Sequence, residues 1–161
     1  MALQATPSPR VRTAACARAG AVVCLVLALD QITKHTIPNG IHDGEARSLL
    51  PGIHLVHVRN DGVAFGFLSG GGTILLVFTF VALAALVGYF VRHPDRPLLW
   101  LPTGMLIGGA IGNLIDRLAN GAVTDFIKLP HWPAFNVADM SITFGVLLLL
   151  WVLERPRRDA G

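Results

Sequence analysis

Four apolar runs, at residues 14–32, 73–91, 98–116 and 139–154, constrain this 161-residue chain more than any other feature. The first three are long enough to cross a hydrocarbon core of about 30 Å as helices. The fourth is short and needs its flanks or a locally thinner bilayer. With 53% hydrophobic and only 14% charged residues, the chain falls in the polytopic membrane class. The expected fold is all-α, one domain over residues 1–161, with four transmembrane helices. Two longer loops, 34–72 and 117–138, lie on one side of that arrangement.

Arginines set the orientation. Arg10, Arg12 and Arg18 flank the start of the first run, Arg92 and Arg96 lie between the second and third, and Arg155, Arg157 and Arg158 follow the fourth. All three clusters fall on one side of a four-span chain, which should be cytoplasmic along with both termini. The first run, followed by Asp30-Gln31-Ile32-Thr33-Lys34 and no small-residue cleavage site, reads as a retained span. The longer loops are then extracytoplasmic. In them Gly52-Ile53-His54-Leu55-Val56-His57-Val58-Arg59 alternates with a period near two, and 124–129 is a second β-like stretch. A small sheet capping the helix ends is expected.

The net charge of +3 is explained by these topological clusters, and no basic stripe interleaves with aromatics. Nucleic acid is not an expected partner. The six histidines lack metal-ligand spacing, and no H-E-x-x-H run is present. Ser48, Ser69 and Ser141 lack an evident partner base. Metalloprotease and serine-hydrolase chemistry are disfavoured. Cys16 and Cys24, both in the first run, read as small buried hydrophobes.

Acids at the ends of apolar runs mark a functional site unless they face protein for structural reasons. Asp30, Asp116 and Asp139 all fall at the outer interface of the four-span arrangement. Gly104, Gly108 and Gly112 form a small-residue stripe whose next step is Asp116, so that acid should face neighbouring helices, with Asn113 one turn before it. Asp139 either caps its helix or, with Asn136 as the cap, sits in its first turn. Asp30 and Lys34 at i, i+4 fit an interfacial ion pair. Asp125 is a turn or sheet residue, or a third acid beside the pair. Asn60-Asp61-Gly62 reads as a tight turn before an oddly apolar stretch. Paired carboxylates sharing a proton can activate water against a peptide bond, and Asp116 with Asp139 is the pair this topology selects. The competing class is a proton-coupled small membrane transporter, which would instead want acids at mid-membrane and helices broken at depth.

Five motifs occur in order: Asp30-Gln31-Ile32-Thr33-Lys34, Asn60-Asp61-Gly62-Val63-Ala64-Phe65, Gly112-Asn113-Leu114-Ile115-Asp116-Arg117, Val123-Thr124-Asp125-Phe126 and Phe135-Asn136-Val137-Ala138-Asp139. Together they resemble the bacterial lipoprotein signal peptidases, also called signal peptidase II, over roughly residues 22–153. The resemblance implies an inner-membrane aspartyl endopeptidase, without a metal or organic cofactor, acting on diacylglyceryl-modified prolipoproteins just before the lipidated cysteine, among membrane lipids and as a monomer. It is read as giving the catalytic roles to Asp116 and Asp139. Asp30, Lys34, Asn60, Gly62, Asn113, Arg117, Asp125 and Asn136 are expected to bind substrate or support the site. Met140, where many members carry a small residue, is the one departure.

Overall fold

A computed structural model of the chain describes residues 7–42, 45–60 and 71–155, with side chains from residue 77 onward in the last segment. Helix α1 runs from Pro9 to Thr36, and a single 3₁₀ turn follows at Pro38–Gly40. Strands β1 (Ala46–Leu50) and β2 (Ile53–Asn60) precede helices α2 (Gly71–Arg92) and α3 (Trp100–Asn120). Strand β3 (Val123–Lys128) and helix α4 (Val137–Glu154) complete the chain. The protein is mostly helical with one small sheet. By length and composition, α1 with its 3₁₀ turn and α4 can cross a membrane, and α2 adds a shorter apolar stretch, Val77–Arg92.

Helix α1 outruns its apolar core at both ends. Pro9 occupies its first turn, where a fixed φ helps and the missing N–H costs nothing. Its 28 residues span about 42 Å at ~1.5 Å per residue. The face it turns inward carries Ala15, Ala19, Val26, Asp30 and Lys34. Cys16 and Cys24 lie off that stripe and are exposed, not buried as their composition suggested. Small size says nothing about which way a helical residue points, and only the packing partner decides the face.

Helix α3 is the central element, and glycines let it approach a neighbour on each side. A methyl group at Gly104 would fall 2.7 Å from the Ala19 carbonyl oxygen, and one at Gly108 2.9 Å from Val26 Cβ. On the other side, Gly109 leaves room for the Ala138 carbonyl of α4, which a methyl would meet at 2.6 Å. Any side chain at these positions would push the helices apart, so the glycines set the interaxial spacing. At the far end from the sheet, Ala15, Ala19, Phe90, Leu99 and Val152 form an apolar core joining all four helices.

Gly121, in the left-handed region at φ 75°, ends α3 and turns the chain directly into β3. The sheet has order β1-β2-β3 and is antiparallel throughout. Its register sets Val58 opposite Asp125 and Asn60 opposite Val123. Both expected strands are present, displaced by a residue: 52–59 becomes Ile53–Asn60, and 124–129 becomes Val123–Lys128. Strand β1 has no counterpart among the expectations. All five of its residues are exposed, so it lacks the alternation that marks a half-buried strand. Phe135 N–H donates to the Ile127 carbonyl at 2.9 Å, returning the chain beneath β3 just before α4 begins.

Candidate active site

Where α1 and α3 end, α4 begins and β3 lies across them, the structure gathers Asp30, Lys34, Asn113, Asp116, Asp125, Asn136 and Asp139. All but Asp139 are buried, and Asp139 is half-buried. Among the described residues, every buried side-chain nitrogen and oxygen has a partner. The cluster is a closed hydrogen-bonded network, as buried polar groups require.

One half of it is built on Lys34. Its ammonium lies 2.8 Å from Asp30 Oδ2, 3.0 Å from Asp116 Oδ2 and 2.9 Å from Asn113 Oδ1. All three of its protons are thereby committed. The expected Asp30–Lys34 pair is present, but it is one arm of a three-way junction. Asp30 does more: its Oδ1 accepts the Ala138 N–H at 2.8 Å, fixing the start of α4 against α1. Asp116 Oδ2 also accepts the Thr124 N–H at 3.0 Å, and its Oδ1 accepts from Gln31 Nε2 at 3.2 Å. Asp116 does face its helix neighbours, as the glycine stripe predicted, and it is there surrounded by donors.

The other half is built on Asn136. Its side chain accepts the Asp139 N–H at 2.9 Å, and Asp139 Oδ2 accepts the Asn136 N–H at 3.3 Å. Of the two sequence alternatives the second holds: Asn136 is the cap and Asp139 sits in the first turn, and the two close a reciprocal capping box. Asp139 Oδ1 accepts from Asn113 Nδ2 at 2.8 Å. Asn136 Nδ2 donates to Asp125 Oδ1 at 2.8 Å, and Asn60 Nδ2 to Asp125 Oδ2 at 3.0 Å. Burial pushes the Asp125 carboxyl up to about 6, with the Asp139 charge adding to the rise against the bonds from Asn60 and Asn136.

Two expected supporters fall outside this network. Arg117 folds back on its own helix to the Asn113 carbonyl at 3.4 Å and pairs with no acid among the described residues. Gly62 lies outside the described residues. Gln31 was missed; its amide reaches Asp30, Asp116 and the Gly112 carbonyl. Its place beside Asp30 in the first motif was the available signal. The backbone donors of Thr124 and Ala138 leave no trace in sequence. Among the described residues, no group of three His, Cys, Asp or Glu side chains is placed to hold a metal ion.

Apolar helices packed through glycines, with acids and amides buried together at one end under a small sheet, define a helical membrane enzyme. Two solved bacterial membrane enzymes share the architecture. One, determined by the in meso method at 1.9 Å resolution, aligns with a TM-score of 0.78 at 33% identity, over 85% of this chain and 92% of that one. The other, at 2.3 Å resolution, aligns with a TM-score of 0.76 at 30% identity, over 89% and 94%. The chain belongs to the signal peptidase II family: the family profile for signal peptidase (SPase) II matches residues 22–154. Similar relatives include a lipoprotein signal peptidase of Moorella thermoacetica, 44% identical over 85% of this chain and 93% of that protein. Another is the lipoprotein signal peptidase of Syntrophomonas wolfei, 42% identical over 84% and 92%.

Proposed function

We propose that this protein is an aspartyl endopeptidase that removes the signal peptide from diacylglyceryl-modified prolipoproteins, cutting before the lipidated cysteine. Family membership and the names of its relatives support the substrate class. The single observation that carries the chemistry is the Asp125–Asn136–Asp139 connection. One acid there, Asp125, is buried and pushed up to about 6, in part by the charge of the other, the half-buried Asp139.

This reading keeps Asp139 and exchanges its partner. The sequence paired it with Asp116, but that carboxylate already receives a lysine ammonium and two N–H donors. A water bound to Asp116 would have to displace them and leave the buried Lys34 ammonium paired with Asp30 alone, a step costing about 1–3 kcal/mol. Asp125 accepts from the neutral amides of Asn60 and Asn136, and its burial favours a proton. In the proposed reaction Asp139 takes a proton from water as the oxygen attacks the scissile carbonyl, and Asp125 gives its proton to the carbonyl oxygen. Collapse of the resulting gem-diol breaks the C–N bond. The proton held by Asp139 goes to the departing amine, and a hydroxyl proton returns to Asp125. Asp30, Lys34, Asn113, Asp116 and Asn136 hold the two acids at fixed separation.

In the bilayer, α1 to α4 serve as four spans of a bacterial inner-membrane protein, with the arginine-rich ends and both termini cytoplasmic. The sheet and the acids then lie at the outer interface, so the substrate's acyl chains stay in lipid while its peptide bond reaches the cluster. A monomer suffices, since every group invoked comes from one chain. Acids gathered at the helix ends, not at mid-membrane, weigh against the transporter alternative. The deciding experiment compares cleavage of a lipidated prolipoprotein by wild type, Asp125→Asn, Asp139→Asn and Asp116→Asn, beside its unlipidated precursor. Lipid-dependent cleavage abolished in the first two variants is expected. Normal turnover by Asp125→Asn together with a dead Asp116→Asn would return the role to Asp116.

A further inference from the structure

At the end of the bundle opposite the acids, the start of α1 and the link between α2 and α3 enclose a cleft of about 330 Å³. Its walls carry Arg10, Arg18, Arg96 and Trp100, and a single acid, Asp95. The arginines at this end divide into two kinds. Arg12 donates to the Val91 carbonyl at 3.0 Å, and Arg96 donates to the Val152 and Leu153 carbonyls at 2.9 and 2.7 Å and to the Tyr89 hydroxyl at 2.8 Å. These two hold helix ends together. Arg10 and Arg18 are exposed, face the cleft, and pair with no carboxylate among the described residues. The Arg18 guanidinium lies over the Trp100 ring, 6.0 Å from its centroid.

Depth along α1 places both arginines at one end of the bundle. Arg10 lies twenty residues (30 − 10) before Asp30, about 30 Å at ~1.5 Å per residue, which is the thickness of a hydrocarbon core. Arg10 therefore reaches the opposite headgroup layer. Arg18, about two turns further along α1, stands level with the α2–α3 link, since both line this cleft. Among the described residues neither guanidinium has a carboxylate partner, and Asp95 is the one acid on the cleft's walls. An aromatic ring positions the Arg18 plane, and Arg10 stands at the mouth of the same cleft.

We infer that this cleft binds the phosphate of an anionic phospholipid headgroup, held between Arg10 and Arg18 with Trp100 beside it. The shared chemistry is a phosphate anion; the bilayer is its source, because both arginines stand at the arginine-rich end of the bundle, at the level of the headgroup layer. The inference rests on the membrane embedding of the bundle and not on the identity of the catalytic pair. Its test is therefore separable from that of the peptidase.

Native mass spectrometry of the detergent-purified full chain, titrated with phosphatidylglycerol or phosphatidylcholine, reads the preference directly. Basic residues at a membrane surface contribute about fivefold each, so a preference of about thirtyfold for phosphatidylglycerol is expected. Arg10→Gln with Arg18→Gln should erase it, whereas Arg47→Gln on the exposed strand β1 should not. Cleavage by the double variant should stay at the wild-type level; if it does not fold, Arg10→Gln alone should still cut the preference about fivefold. Equal binding of the two lipids, or a preference surviving the double variant, would overturn the assignment. Displacement of the lipid by millimolar inorganic phosphate would overturn its bilayer source.

Discussion

Replacing Asp125 by Asn separates stability from catalysis in a way that a purely structural acid would not. The folded protein holds this carboxyl at about 6 against an ordinary 3.8. Its folded value is raised, so its stabilising contribution is complete below about pH 4 and is lost as pH rises through about 6. Holding the carboxyl at about 6 corresponds to about 3 kcal/mol of penalty at pH 8. Water reaching the site screens part of it, and Asn forfeits one of the two acceptor bonds from Asn60 and Asn136, worth about 1 kcal/mol. Asp125→Asn should therefore gain about 1–2 kcal/mol at pH 8 and lose about 1 kcal/mol at pH 4, where only the forfeited bond counts. Thermal unfolding in detergent should show a Tm raised by about 5 °C at pH 8 only. The same preparation should cleave lipidated prolipoprotein about 10³-fold more slowly or worse. A variant with unchanged or lowered Tm at pH 8 would refute the burial argument. One that still cleaves would refute the assignment of Asp125.

Asp139→Asn should abolish cleavage comparably, and should cost only about 1 kcal/mol of stability through the weakened capping box, read by the same melt. Lys34→Met removes the ammonium that Asp30 and Asp116 share; a loss of about 3–5 kcal/mol at neutral pH is expected, and a Tm within a degree of wild type would contradict the three-way junction. Asp116→Asn leaves Lys34 paired with Asp30 alone, so it should destabilise at both pH 8 and pH 5 by about 1–3 kcal/mol, in contrast to Asp125→Asn. Gly112→Ala brings a methyl 2.6 Å from Asp30 Oδ2. Moving that carboxylate disturbs both Lys34 and the Ala138 anchor, so cleavage should fall at least tenfold although no acid has changed.

Much of this protein was legible before any fold was known. Apolar length announced the helices, the period of four in Gly104, Gly108 and Gly112 aimed Asp116 at its neighbours, and alternation located β2. Asn136 and Asp139 three apart suggested the helix start they build together. These signals are local, because hydrophobic period, capping spacing and glycine repeats act within a few residues of chain. What they could not supply is which donor meets which acid. Lys34 reaches across 82 positions (116 − 34) to Asp116, and Asn136 across 11 to Asp125. Asp116 ends an apolar run and Asp125 lies within β3, and nothing in their neighbours along the chain distinguishes a carboxylate spent on a lysine from one left to hold a proton. The exposed strand β1 and the outward cysteines of α1 were invisible for a related reason: their placement follows from partners that the sequence brings near only by folding. Composition and motif order thus determined the membrane class, the helices and the family. Tertiary contact alone decided the electrostatic environment of each acid, because charge interactions depend on distance in space and on desolvation, neither of which is written along the chain.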